Sequence, residues 1–551
     1  LSIVLVAGLI LAACGPTPEP QVVEKVVTEV VEKVVTQEVE VQVTPTPEPE
    51  MEPQYGGGLK VVAGSGFRTL NPLKTSSITH NSGFALFYEP LVKPKEILGA
   101  SSEFAPLLAE SWEVADDGLS ITFNLQEGVA FHDGTPFNAE AVKFNFEYRM
   151  NPDNAAVTVA DFALVESIEV VDDLTVKVNF SAVDPTFLGK IGYPNNAMIS
   201  PKALEELGED LGVNPVGTGP FVLGEFTPGE CVVGLRNDDY WNPKYPYLDQ
   251  IQFCGVPESS ARTLALESGE ADVVFVVLWS DADFLREKGI ELVASPPGLS
   301  TSLIQNNNKP PTDELAVRKA IAHAVDFDAI LKAAFNGQGL VNRTGLLPHS
   351  WGYCQEAEDM APKYDPELAA QILEEAGWVD TDGDAVRDRD GEPLTIYFIV
   401  PPWDADPLIG EIVIGQLARV GIHTTTETVE AQTLFAKLLE GDYGMSHWGL
   451  MPRTLDPHEI YHFFHSEDTG NRFQYANPEV DALIEEAVQT ADQNVRAELY
   501  CEIQKKLIED MATVWAFHEA YYVFGYDPDV VHDLKQAYYR VIEPLTVWVS
   551  R

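Results

Sequence analysis

Between Pro106 and Met150 apolar side chains first alternate with polar ones and then recur at helical spacing. Ile121, Phe123 and Leu125 alternate after the turn cluster Asp116-Asp117-Gly118, which predicts a hairpin strand. Val129 and Phe131 predict a second short strand before the tight loop His132-Asp133-Gly134-Thr135-Pro136. Asn138 is placed to cap a helix with the stripe Val142, Phe146 and Met150, and Glu140 in its first turn suits the positive end of the helix dipole. Alternation returns over 168–180 around Asp172-Asp173, a further hairpin. Short apolar strands are predicted at 59–63, 273–278 and 394–400. Helices are predicted from Ser259, over 315–330, from Asp365-Pro366 to Gly377, and up to Gly441. Gly56-Gly57-Gly58 precedes a strand instead of joining a strand to a helix, so it reads as a leading turn and not a phosphate loop. Gly217-Thr218-Gly219 is too short for a dinucleotide fingerprint, and its flanking prolines favour rigid turns.

Several phrases of the chain resemble the signature of solute-binding protein family 5, the extracytoplasmic receptors of ABC importers for peptides, nickel complexes and some saccharides. They are Tyr88-Glu89-Pro90-Leu91-Val92, Ala109-Glu110-Ser111-Trp112, Phe131-His132-Asp133-Gly134-Thr135-Pro136-Phe137, Pro215-Val216-Gly217-Thr218-Gly219-Pro220-Phe221 and Asn237-Asp238-Asp239-Tyr240-Trp241. The resemblance implies a two-lobe, clamshell α/β fold of the periplasmic-binding-protein kind (class II), with an extra subdomain in the first lobe at about 80–205. It implies a first lobe from 55–298 and 521–551, a second lobe from 299–520, and two crossings, near 298–306 and 518–524, that form a hinge.

The amino-terminal part reads differently. Residues 1–13 are an apolar run well short of the roughly 20 residues a spanning helix needs. The run ends in Leu11-Ala12-Ala13-Cys14-Gly15, which resembles a bacterial lipobox and implies cleavage before Cys14 and its acylation. With no Met or basic segment ahead of it, the run is expected to begin inside a signal peptide; an uncleaved hydrophobic anchor is the other reading. Residues 14–54 are a tether: Pro-rich ends flank the repeated octets VVEKVVTE and VVEKVVTQ, which suit either a marginal helix or a disordered spacer.

A formal net charge of -51 makes nucleic acid and anionic lipid surfaces improbable partners. Beyond Cys14, the cysteines lack metal-type spacing. Cys231 and Cys254 lie in neighbouring apolar strands, which pairs them; Cys354 with Cys501 follows by elimination from the three pairings four cysteines allow.

Three constellations invite chemistry. Asp380, Asp382, Asp384 and Asp388 fall at positions 1, 3, 5 and 9 of a calcium loop, but Ala385 replaces the needed Gly and Gly391 the bidentate Glu. A weak calcium site and a solvated helix-to-strand turn both fit. His458-Glu459-Ile460-Tyr461-His462 matches the zincin pattern, with His465 extending the stripe and Glu485 or Glu486 imaginable as a third ligand. Asp456-Pro457 sits directly before it, so the helix has barely begun, and a half-buried histidine face is the alternative. Third, Trp448 to Pro457 resembles the segment that lines the cleft in peptide-binding relatives, where an Asp three residues before the Asp-Pro pair holds the peptide ammonium. Here that place is Arg453, whose guanidinium favours carboxylate or phosphate; an Arg facing solvent or a structural acid is the other reading. Phe67, Phe84, Trp279, Trp351, Trp403 and Trp448 stand near strand ends where they could pave a cleft, with Asn81 beside them as a polar contact.

The expectation is therefore a lipid-anchored extracytoplasmic receptor, monomeric and without cofactor, that delivers a peptide or similar small solute to a membrane permease. A saccharide or metal-chelate receptor or sensor of the same fold is the alternative, and a zinc metallopeptidase using His458, Glu459 and His462 the remote one. No nucleophile elbow or Walker loop is present.

Overall fold

The computed structural model describes residues 52–75, 78–95, 103–294, 299–402, 405–450, 456–519, 522–537 and 541–551. Residues 1–52 and 53–551 form separate units, and the second holds all the architecture considered below. Cys14 lies outside the described residues.

Three sheets organise the folded unit. The first has seven strands in the spatial order Glu291–Ala294, Tyr522–Tyr526, Val273–Val277, Gly58–Ala63, Gln250–Gly255, Cys231–Arg236, Phe221–Thr227. Its central strand Gly58–Ala63 runs parallel to both neighbours. Leu59, Val61, Val62 and Ala63 are all buried, as expected of a parallel strand covered on two faces. The second sheet has six strands, in the order Gly339–Val341, Val514–Glu519, Leu299–Gln305, Met445–Leu450, Thr395–Val400, His423–Thr428. Each has its own core, one around Leu59, Phe84, Phe253 and Phe524, the other around Leu303, Phe398, Val413 and Phe517.

The third sheet is antiparallel, in the order Ala109–Val114, Ser120–Leu125, Thr175–Phe180, Val165–Asp172. Along Thr175–Phe180 every second residue is buried, so one face carries Val176, Val178 and Phe180. The helix Ala139–Met150 covers that face with Val142 and Phe146. Asn138 caps it, its side chain accepting from the Ala141 N–H at 3.0 Å.

Two local expectations need correction. Val129 and Phe131 are buried, yet they belong to a tight turn with a single bridge, Ala130 to Pro136, and not to a strand. The loop closes too soon for a ladder: Phe131 N–H donates to the Thr135 carbonyl and Gly134 N–H to that of Phe131, both at 2.8 Å. The helix expected over 315–330 is two, Leu315–Ala324 and Phe327–Ala334. Val325 is extended and Asp326 caps the second helix through the Ala329 N–H, a capping preference that outweighs the continuous apolar stripe.

The chain leaves the first sheet after Ala294 and enters the second at Leu299; it leaves the second after Glu519 and re-enters the first at Tyr522. These passages are neighbours, because Ala294 is in register with Tyr522 and Leu299 with Glu519.

Candidate functional site

The strand directions fix where a ligand would sit. In the first sheet Gly58–Ala63, Gln250–Gly255 and Val273–Val277 are parallel, and Glu291–Ala294 shares their direction because both it and Val273–Val277 run antiparallel to Tyr522–Tyr526. Their carboxyl ends lie at the edge from which the chain crosses. In the second sheet Thr395–Val400, His423–Thr428 and Met445–Leu450 are parallel, and Ser300 pairs with Leu450. The crossing therefore enters at the carboxyl ends here too. Ligands of open α/β sheets bind outside the carboxyl ends of the strands, so both sheets offer their binding edge to the same passage.

The residues singled out from sequence divide into three groups. Phe67, Asn81 and Phe84 gather on the first sheet's side. Phe67 follows the strand Gly58–Ala63 and packs 5.7 Å from the rings of both His80 and Phe253. Phe84 is wholly enclosed in the first core. Asn81 is also enclosed; its amide nitrogen donates to the Tyr193 hydroxyl at 3.3 Å while its oxygen has no partner. Trp279 begins the helix Trp279–Glu287 and packs against the cores of both sheets, so it bridges them. Just before it, Val276 has φ 62°, a left-handed conformation rare for a β-branched residue and typical of constrained sites.

Trp351 and Trp448 share a core on the second sheet's side. The Arg496 guanidinium stands 5.0 Å from the Trp351 ring, and Arg496 also grips the buried Asp456 carboxylate with two 2.7 Å bonds. Asp456 is thus a structural anchor for the segment that opens at Pro457. Trp448 meets Phe435 edge-on at 5.0 Å and carries the Arg472 guanidinium 4.7 Å from its ring centre. Trp403 and Arg453 lie outside the described residues.

The rings of His458 and His462 stand 5.3 Å apart. The helix His458–Tyr461 has only four residues and tightens into a 3-10 turn at His462–Phe464. His462 Nδ1 is 2.8 Å from Asp468, and His465 Nε2 is 3.2 Å from Glu485. His458 is half-buried; burial, then His462, Lys190 and Arg496, pull its pKa down to about 3, with Asp184 opposing. Lys190, within the helix Phe187–Ile191 of the third-sheet region, is paired with Asp184 at 2.8 Å. Among the described residues, the three-ligand set that could hold an ion is Asp380, Asp382 and Asp384, all exposed. Their carboxylates accept the loop's own N–H groups, from Gly383 and Ala385 to Asp380, from Asp384 to Asp382 and from Val386 to Asp384. Asp388 is bound by Thr381 instead.

The disulfides join Cys231 to Cys254 and Cys354 to Cys501. Sequence reasoning passed over three residues that the fold brings forward. His447 has Nδ1 bound to Asp406 at 2.8 Å and Nε2 buried without a partner. His518, on the strand leading to the return crossing, has both ring nitrogens unpartnered; burial, then His349, pull its pKa to about 3. Arg472 is the third. None had a local signal, because their settings depend on strands distant in sequence.

Comparison with known proteins agrees with this geometry. The pattern of the bacterial extracellular solute-binding proteins, family 5 Middle, matches residues 103–472. The glutathione-binding protein GsiB of Salmonella paratyphi A (strain ATCC 9150 / SARB42) is 31% identical over 466 residues, covering 81% of this chain and 85% of that protein. NikA from Brucella suis, solved in complex with Fe(III)-EDTA, superposes with a TM-score of 0.78 at 28% identity, covering 89% of this chain and 99% of its own. AppA from Bacillus subtilis, solved with a nonapeptide, has the same fold, with a TM-score of 0.75 at 24% identity, covering 91% of this chain and 100% of its own. The two large sheets are thus the two lobes of a clamshell α/β fold, and the chain belongs to the bacterial extracellular solute-binding proteins of family 5.

Proposed function

We propose that this protein captures a peptide or similar small solute between its two lobes outside the cytoplasm and hands it to the permease of an ABC importer. The observation that carries this reading is that both sheets turn their carboxyl ends toward two adjacent crossings. Such a joint lets two binding edges close on one ligand while a few residues absorb the motion. The lobes of this reading comprise 55–298 with 521–551, and 299–520. The chain acts by reversible capture, with no covalent step of its own. The pairing of His462 with Asp468 and of His465 with Glu485 supports that reading.

Acylation at Cys14 holds the receptor at a membrane surface, with the tether 14–54 as spacer, and the protein acts as a monomer. No described helix is long and apolar enough to cross a membrane.

Native mass spectrometry of the protein isolated without denaturation tests the reading. The expected result is a one-to-one complex with a small solute that leaves unaltered on unfolding. A protein that carries no solute, and takes up neither glutathione nor short peptides, contradicts it.

A further inference from the structure

We propose that Val276 and Trp279 form a latch between the lobes: a left-handed backbone at Val276 seats Trp279 on both cores, and it relaxes to the extended form when the lobes part. The latch rests on the receptor reading and adds the device that sets how readily the empty receptor opens. Val276 has φ 62° inside the strand Val273–Val277. Among the described residues, every other non-glycine residue with positive φ lies outside helices and strands, and none of them is β-branched. A valine side chain crowds its own backbone in that conformation, so the state persists only where its surroundings hold it.

The surroundings here do so from both sides. Phe275 stays in register with Phe524 and Val277 with Tyr522, so the ladder continues around the left-handed residue. Only Leu278 then separates the strand from the helix Trp279–Glu287. That helix is pinned to the first lobe. Ala282 and Leu285 are buried with Val274 and Val277, and Asp281 accepts from the Thr263 hydroxyl at 2.8 Å, which ties it to the helix Ser259–Glu267. Trp279 alone of this helix packs against the second lobe's core as well.

The latch stands beside both crossings. Tyr522, the partner of Val277, opens the strand after the return crossing, and it is also in register with Ala294, the last strand residue before the outgoing one. Lobes that turn about these passages have to lift Trp279 off one core. With the helix pinned, the indole is freed through the short backbone between Phe275 and Trp279, and Val276 is its strained point. Valine makes the seated form costly and so biases the empty receptor toward opening; a bound solute offsets that bias. Val276 and Trp279 are positioning residues in this role, which requires neither to touch the solute.

Small-angle X-ray scattering of the full-length protein freed of its solute tests the latch, with V276G, V276N, W279A and V276G/W279A beside wild type. Gly and Asn enter the left-handed region more readily than Val. V276G and V276N should therefore shift the population toward the seated form on the order of 10-fold, seen as a smaller radius of gyration than wild type. W279A should give a larger radius, and V276G should leave that radius unchanged in the W279A background. Radii of V276G and V276N equal to that of wild type overturn the latch, as does a V276G effect that persists without Trp279. V276N decides by the same reading if V276G does not melt cooperatively. These measurements need no solute, so their failure leaves the receptor reading standing. A wild-type protein that retains no solute and takes up neither glutathione nor short peptides contradicts that reading, and the role of the latch with it.

Discussion

Glu89 shows what the family phrases do. It lies wholly buried and accepts from the Tyr240 hydroxyl at 2.6 Å, the Thr218 hydroxyl at 2.9 Å and the Trp241 indole at 3.0 Å. Gly217 and Gly219 let the neighbouring loop lie against Phe87, where a Cβ would meet backbone at 2.1 Å and 2.5 Å. His132 closes the ring, its N–H donating to Gly217 O at 2.8 Å with its Nε2 2.9 Å from Gly219 O. Four stretches far apart in sequence thus converge on one carboxyl group. Burial raises its pKa to about 7, against the opposing pull of its three donors and Lys93. A carboxyl whose folded pKa lies above its unfolded one holds its proton longer in the folded state. Its contribution to stability is complete below pH ~4.5 and is lost as pH rises through about 7, a change of about 3 kcal/mol. Denaturation of wild type and E89Q at pH 4.5, 6 and 8 should show the wild type losing about that much relative to E89Q, with no further change above pH 8. A pH-independent difference would place the ionisation of Glu89 elsewhere.

The same residues explain what could be read beforehand. The phrases named the family because they build the first lobe, and a buried carboxyl with three donors tolerates few side chains. The carboxyl ends of the strands, where the proposed function puts the solute, carry no such closure. Arg472 looks like any surface arginine in sequence; only the fold sets it between Trp448 and Phe463. Phe84 and Trp279 were aromatic residues near strand ends, yet one is wholly enclosed and the other joins two cores.

Helices and strands were legible in proportion to their capping signals. Asp365 with Pro366 at the first helical position starts the helix Pro366–Glu375, and Gly441 at φ 73° ends Ala431–Glu440. Periodicity misled over 315–330 because both helices bury the same kind of face and the break is a cap, not a change of pattern. Asp456-Pro457 before the zincin spacing signalled a helix that has barely begun, and the helix His458–Tyr461 has four residues before it tightens at His462–Phe464. The disulfides act between elements. Cys231–Cys254 ties paired strands across 23 residues, whereas Cys354–Cys501 spans 147 residues and joins the start of the helix Gln355–Met360 to the helix Gln493–Glu509. Closure entropy makes the longer loop worth more, about 5 kcal/mol against about 3 kcal/mol. Denaturant titration of C354S/C501S should accordingly show a larger loss than C231S/C254S; the reverse order would mean that native packing, not loop closure, sets their contributions.

The folded unit is a two-lobe clamshell whose chain passes twice between neighbouring points of the two large sheets. Its cores are separate, and Trp279 is packed against both. A change in the angle between the lobes therefore has to shift Trp279 against at least one of them. Small-angle X-ray scattering during titration with the protein's own released solute measures this most directly. The account predicts a radius of gyration that falls and levels off at one equivalent. Scattering curves that superpose at saturation, with binding established on the same sample, would contradict it.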